Sequence, residues 1–191
     1  MKPAILACMA VLLMCSLRAQ RSTNSAPAGW PQEPSSFVGI KLGAPLSASL
    51  PECPWDTYGW VNFGKPCFKS IDSHIEVHNV ENFSEILVEE VDGKVGSVAC
   101  FFPADTGNTV LRAMIAKFGL PHRRWTEQKT NSFGAVFNGQ ISLWEGRKTY
   151  IEFSSLTDEV DKGSVIVSTS AYYAYVQKQE NQKKKSLEGT F

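Results

Sequence analysis

One stretch of helical periodicity, set among runs of strand periodicity, constrains this chain more than any other feature. Leu111, Met114, Ile115 and Phe118 recur at i, i+3, i+4 and i+7, so they fall on one side of a helix. Thr106 or Asn108 stands where its N-cap is expected. Gly119 suits the backbone reversal that ends a helix, Leu120 is placed to cover that end, and Pro121 blocks continuation. A helix with a single apolar side has to bury that side, and its neighbours in sequence alternate instead.

Residues 70–80 place Ile71, Ser73, Ile75 and Val77 on one side and Asp72, His74, Glu76 and His78 on the other, the period of a half-buried strand. Residues 85–91 and 94–102 follow as strands joined by Asp92-Gly93, a pair that favours a type I′ turn because both positions need positive φ. After the helix, residues 132–137, 141–144 and 148–153 read as a meander turning at Asn138-Gly139 and Gly146-Arg147. Residues 164–170 add a last strand and 171–178 a short terminal helix. The expected class is α+β: a mostly antiparallel sheet of about seven strands in two halves, packed in two layers on one central helix.

The chain opens on Met1-Lys2-Pro3, then an almost unbroken apolar run over residues 4–17, then Arg18-Ala19-Gln20. A positive start, a short apolar core and a small residue at the cut form a secretory signal peptide, with Ala19 as its last residue. The run is shorter than the ~20 residues a spanning helix needs. An uncleaved anchor is the competing reading, and Leu12-Leu13-Met14-Cys15 faintly resembles a lipoprotein cleavage box in which Met14 is too large. The division that follows is a signal peptide at 1–19, a flexible Pro-containing linker at 20–36, a single α+β domain at 37–178 and a disordered tail at 179–191. Export places the mature chain in a secreted or periplasmic location, with no stable transmembrane segment after cleavage.

The whole sequence balances 19 basic against 19 acidic residues. Losing Lys2 and Arg18 with the leader tips it slightly acidic, which offers no electrostatic handle on nucleic acid. Cys53, Cys67 and Cys100 survive cleavage in a compartment where disulfides persist. Cys53 and Cys67 flank a loop rich in Pro, Gly and aromatic residues and form the expected pair; closing a loop of about 15 residues stabilises by ~3 kcal/mol. Cys100 lies in the apolar run Val98-Ala99-Cys100-Phe101-Phe102 and reads as a buried free thiol.

Three groups of residues bear on chemistry. His74-x-Glu76-x-His78 carries the imidazole and carboxylate ligands of zinc or iron sites on one side of a strand. Neighbours there are ~7 Å apart, but the two histidines are ~13 Å apart, which limits the site to one histidine with Glu76 unless the strand bends. The alternative is a solvated strand face. Trp55, Tyr58, Trp60 and Phe63 form an aromatic loop able to stack on a sugar or anchor a protein partner, or else to close over the core; Trp125 and Trp144 read as packing residues. Asp158, Glu159 and Asp161 lack the spacing of a calcium loop and read as a solvated turn. There is no G-x-S-x-G elbow, phosphate-binding glycine loop or C-x-x-C, and no cofactor is expected.

Phe37-x-Gly39-Ile40-x-Leu42-Gly43, followed by a helix closing in Lys117-Phe118-Gly119-Leu120-Pro121, is similar to a group of secreted bacterial α+β proteins. In style it also resembles the small modules of the outer-membrane assembly lipoprotein BamE and of β-lactamase-inhibitor proteins. The resemblance implies a non-catalytic module that binds another protein or an envelope component, and transfers no functional residues. The reading that competes with it is a metal-assisted hydrolase using His74, Glu76 and His78.

Overall fold

A computed structural model describes residues 30–56, 59–60, 65–71, 74–78, 80–131 and 133–188. Two small antiparallel ribbons come first: β1 (Ser36–Phe37) with β2 (Ile40–Lys41), and β3 (Trp55–Asp56) with β4 (Gly59–Trp60). Between them lies a 3₁₀ turn at Leu46–Ala48. A meander of four strands follows, β5 (Cys67–Ile71), β6 (His74–His78), β7 (Glu85–Val91) and β8 (Lys94–Pro103). Helix α1 (Gly107–Phe118) leads to a second meander, β9 (Arg123–Thr130), β10 (Val136–Glu145), β11 (Thr149–Ser154) and β12 (Lys162–Thr169). Helix α2 (Ser170–Glu188) ends the fold. The meanders lie side by side through β8 and β12, giving one antiparallel sheet of eight strands in the order β5-β6-β7-β8-β12-β11-β10-β9.

The cross-strand register sorts the side chains onto two faces. Lys69, Glu76, Leu87, Ala99, Ile166, Glu152, Leu143 and Arg123 are successive partners in a row across the whole sheet and share one face. The opposite face carries Val88, Val98, Cys100, Phe102, Trp144, Ile151, Phe153, Val165 and Val167, all essentially without exposure. On this core face lie Leu111, Met114 and Phe118 of α1, the stripe expected from the sequence. The helix does not cover it alone. Trp30, Phe37, Ile40, Leu46 and Leu50, from the segment ahead of β5, belong to the same cluster.

Several local expectations hold in detail. Asp92 and Gly93 both take positive φ, at 53° and 69°, between the paired Val91 and Lys94. Gly119 ends α1 with φ 80°, its N–H donating to the Ile115 carbonyl. Cys53 and Cys67 form a disulfide with Cα atoms 5.0 Å apart, and Cys100 is a buried free thiol.

Others are corrected. Residues 70–80 are not one strand: β5 and β6 are antiparallel partners with Ile71 opposite His74, and pairing an odd with an even position resets the alternation between the two strands. Asn138 and Gly139 do not turn the chain but sit inside β10, opposite Gln128 and Glu127. The reversal occurs earlier, where Asn131 gathers it. Strand β9 was hidden by its polar sequence, Arg-Arg-Trp-Thr-Glu-Gln-Lys-Thr, which suits an edge with little to bury. Among the described residues the sheet therefore has eight strands rather than about seven. Leu120 does not cover the helix end but is 74 % exposed. Thr106 caps no helix N–H; its hydroxyl donates to the Pro103 carbonyl. Residues 30–36, expected within a flexible linker, are docked: Trp30 is buried, Glu33 accepts from the N–H groups of Lys148 and Thr149, and the Thr149 hydroxyl donates to the Pro34 carbonyl. The terminal helix is longer than 171–178 and runs on through residues assigned to a disordered tail.

Candidate functional site

The face opposite the core is covered in part by α2. Tyr172 packs over Gly96, where a Cβ would approach the ring to 2.7 Å, and its hydroxyl donates to the Glu89 carboxylate. Burial, and then that carboxylate, push the Tyr172 phenol well above its ordinary range. Tyr173 stacks on Tyr150 with ring centroids 4.6 Å apart. Beside this stack is a groove of about 140 Å³ bounded by Leu143, Glu145, Tyr150, Glu152, Ile166 and Tyr173. Its Glu145 is held by Arg123 at 2.7 Å. The groove is shallow for a small-molecule site, which ordinarily encloses ~300 Å³ or more.

A more distinctive surface lies at the far end of the sheet. Strands β9 and β10 pair from Arg123↔Leu143 to Thr130↔Val136, whereas β11 accompanies β10 only from Ile141 onward. The remainder of the β9–β10 hairpin therefore projects as two strands. Lys129 ties its flank to Asp158 at 3.1 Å, and a Cβ on Gly139 would meet Leu156 at 3.3 Å. The tip is built rather than loose. The Asn131 side-chain oxygen accepts from the N–H groups of Phe133 and Ala135, the Asn131 N–H donates to the Ala135 carbonyl, and Gly134 takes φ 82°.

This hairpin carries Trp125, Phe133, Val136 and Phe137, four of the six large apolar residues described as exposed, so the exposed apolar surface is concentrated here. Phe133, at 93 %, stands almost wholly in solvent. Sequence reasoning placed Trp125 among the packing residues; it is instead 42 % exposed on the edge strand, because no further strand lies outside β9 among the described residues. Trp144 is a packing residue, fully buried, its indole N–H donating to the Gly119 carbonyl. A sequence signal for the tip existed in Asn131 and Gly134 bracketing an isolated Phe133, but Asn138-Gly139 offered a stronger turn pair.

The other sequence candidates divide. Tyr58 and Phe63 lie outside the described residues, as do the side chains of Trp55 and Trp60, whose backbones pair across β3 and β4. The His74 side chain is likewise outside them. Glu76 and His78 share the face opposite the core and contact each other at 3.4 Å. Among the described residues no three metal-ligating side chains converge. The acidic turn is occupied by cations of the chain itself: Asp158 pairs with Lys129 and Glu159 with Lys162, at 3.1 and 2.7 Å. The Glu159 carboxylate raises the pKa of Lys162. Burial pushes the Cys100 thiol up to about 12, so it holds its proton under ordinary conditions. No helix of the described residues is long and apolar enough to cross a membrane. Comparison with protein-family models, curated proteins and solved structures finds no match to this chain.

Proposed function

We propose that this protein is a secreted or periplasmic module without enzymatic activity, and that it binds another protein of the cell envelope through the tip of the β9–β10 hairpin. The observation that carries the reading is the exposure of Phe133 and Val136, at 93 % and 58 %, on a turn fixed by the Asn131 side chain. Water is a poor neighbour for apolar side chains held in this way. A partner that buried Phe133 would gain roughly 1.5–3 kcal/mol from that ring, and the ordered turn lowers the entropy lost on docking. The disulfide and the apolar leader support an oxidising compartment. The resemblance to BamE-like and β-lactamase-inhibitor-like modules supports a partner-binding role, and the aromatic loop of Trp55, Tyr58, Trp60 and Phe63 supplies a second contact surface.

The test is a double substitution, Phe133→Ser with Val136→Ser. Both side chains face solvent, so the unfolding free energy should stay within the small range of surface changes, about ±0.5 kcal/mol. Co-purification of the envelope partner should be lost. A variant that retains the partner contradicts the tip as docking surface. Metal analysis of the same purified protein addresses the hydrolase reading: a stoichiometric ion lost on His74→Ala would replace the present proposal.

A further inference from the structure

The outer edge of β9 has a property separate from the hairpin tip: it is complementary to itself. Strand β9 ends the sheet, and no strand is hydrogen-bonded to its outer side among the described residues. Such an edge presents unpaired N–H and C=O groups to any extended segment that matches it. On the face opposite the core it displays Arg123, Trp125, Glu127 and Lys129 in alternation. The side chains of Arg123, Glu127 and Lys129 are 40, 32 and 19 % exposed, and Trp125 is 42 % exposed.

We propose that two copies of this chain pair through β9, antiparallel and with Trp125 opposite Trp125, to form one continuous sheet. A two-fold axis normal to the sheet keeps each face on its own side, so only registers that match odd positions with odd positions are allowed. Four such registers centre between residues 125 and 128. Centring on Trp125 sets Arg123 against Glu127 of the second copy, and Glu127 against its Arg123. Centring on Thr126 sets Arg123 against Lys129, a like-charge pair. Centring on Glu127 sets that carboxylate against itself. Centring on Gln128 sets Glu127 against Lys129 but leaves Trp125 opposite residue 131, in the turn. Opposite charges directly across an antiparallel pair stabilise, and like charges destabilise, by ~0.2–1 kcal/mol each. The first register is therefore the one that sets opposite charges together, Arg123 against Glu127, while also opposing Trp125 to itself; Lys129, already paired with Asp158, lies beyond the matched stretch.

The apolar pattern agrees with the charges. Ile141 is the cross-strand partner of Trp125 within one chain and is buried. In the paired sheet, Ile141 and Trp125 of one copy would run straight into Trp125 and Ile141 of the other. Aromatic cross-strand pairs add to the ladder, and the exposed indole gains a partner. Arg123 can serve Glu145 and Glu127 of the second copy together. Its guanidinium carries five donors; one nitrogen bonds Glu145, and the buried Nε has no partner among the described residues. Because the two β9 strands run in opposite directions, the hairpin tips point away from each other and remain available.

The experiment measures the mass of the purified full protein by light scattering and sedimentation over a concentration series. The wild type is expected to reach twice the monomer mass. Glu127→Arg opposes arginine to arginine at two positions and should raise the dissociation constant by tenfold or more. The reciprocal variant, with Arg123→Glu and Glu127→Arg in one chain, should restore the dimer. If Arg123→Glu costs folding through loss of the Glu145 contact, an oxidised Trp125→Cys variant supplies the second reading: it should form a covalent dimer, since opposed strand residues have Cα atoms ~4.5–5.5 Å apart, within disulfide range. A wild type that stays monomeric overturns the proposal, as does a dimer indifferent to Glu127→Arg. Phe133→Ser should leave the dimer intact, so failure of this proposal and failure of the tip as a docking surface are read separately.

Discussion

Two indole N–H groups hold the carboxyl end of α1. Trp30 donates to the Phe118 carbonyl at 2.8 Å and Trp144 to the Gly119 carbonyl at 2.9 Å. The last carbonyls of a helix lack partners within it, and here two distant segments supply them. Trp30→Phe or Trp144→Phe keeps a ring but removes the donor; each should cost on the order of 1–3 kcal/mol in a denaturant titration, the penalty of a buried acceptor left unpaired. Cys100 makes a different residue-scale prediction. The native thiol keeps its proton up to about 12, against an ordinary value of 9.0. Between those values the unfolded chain binds fewer protons than the native one, so stability is full below 9 and falls as pH rises through the window. Cys100→Ala removes this contribution. Chemical denaturation of both proteins below and above pH 9 should show the wild type losing more stability than the variant, and the native thiol should resist alkylation until the protein unfolds. The burial of Cys100 was legible because its whole run is apolar. The role of Trp30 was not, since its neighbours are prolines and polar residues and its partner lies on the far side of the domain in sequence.

At the scale of elements, legibility followed how much each element buries. Strands β7 and β8 and helix α1 bury a full apolar side and carry their own stop signals, and they stand close to where periodicity places them. Strand β9 buries little and was invisible. The β5–β6 hairpin was read as one strand, since Asp72-Ser73 is a far weaker turn signal than Asp92-Gly93 and the sequence pattern runs on across it. The disulfide closes the segment that leads into β5, where Cys53 N–H donates to the Phe68 carbonyl and Phe68 N–H to the Pro51 carbonyl. Replacing Cys53 and Cys67 together by alanine should lower stability by about 3 kcal/mol, the loop-closure entropy returned to the unfolded chain, measurable as a shift in urea midpoint. Helix α2 depends on the space over Gly96. Gly96→Val would displace Tyr172, break its bond to Glu89 and loosen the helix, which hydrogen exchange along 170–188 should register as lost protection.

At the scale of the molecule, an eight-stranded sheet is covered on one face by α1 and the segment holding Trp30, Phe37, Ile40, Leu46 and Leu50. The other face is only partly occupied by α2. What remains exposed and apolar collects at one end, on a hairpin that outruns its neighbour β11. Sequence pattern located the sheet and the helix and offered the aromatic loop as a binding surface, but did not single out the exposed hairpin. Exposure at an edge depends on strand order, and strand order is not written in any local window. The direct measurement is in vivo photocrosslinking, with the probe amino acid at position 133 and a control probe at the exposed Asp105, in the native host. The account predicts one discrete adduct with an envelope protein from position 133 and none from position 105. No adduct from position 133, or the same adduct from both positions, would contradict it.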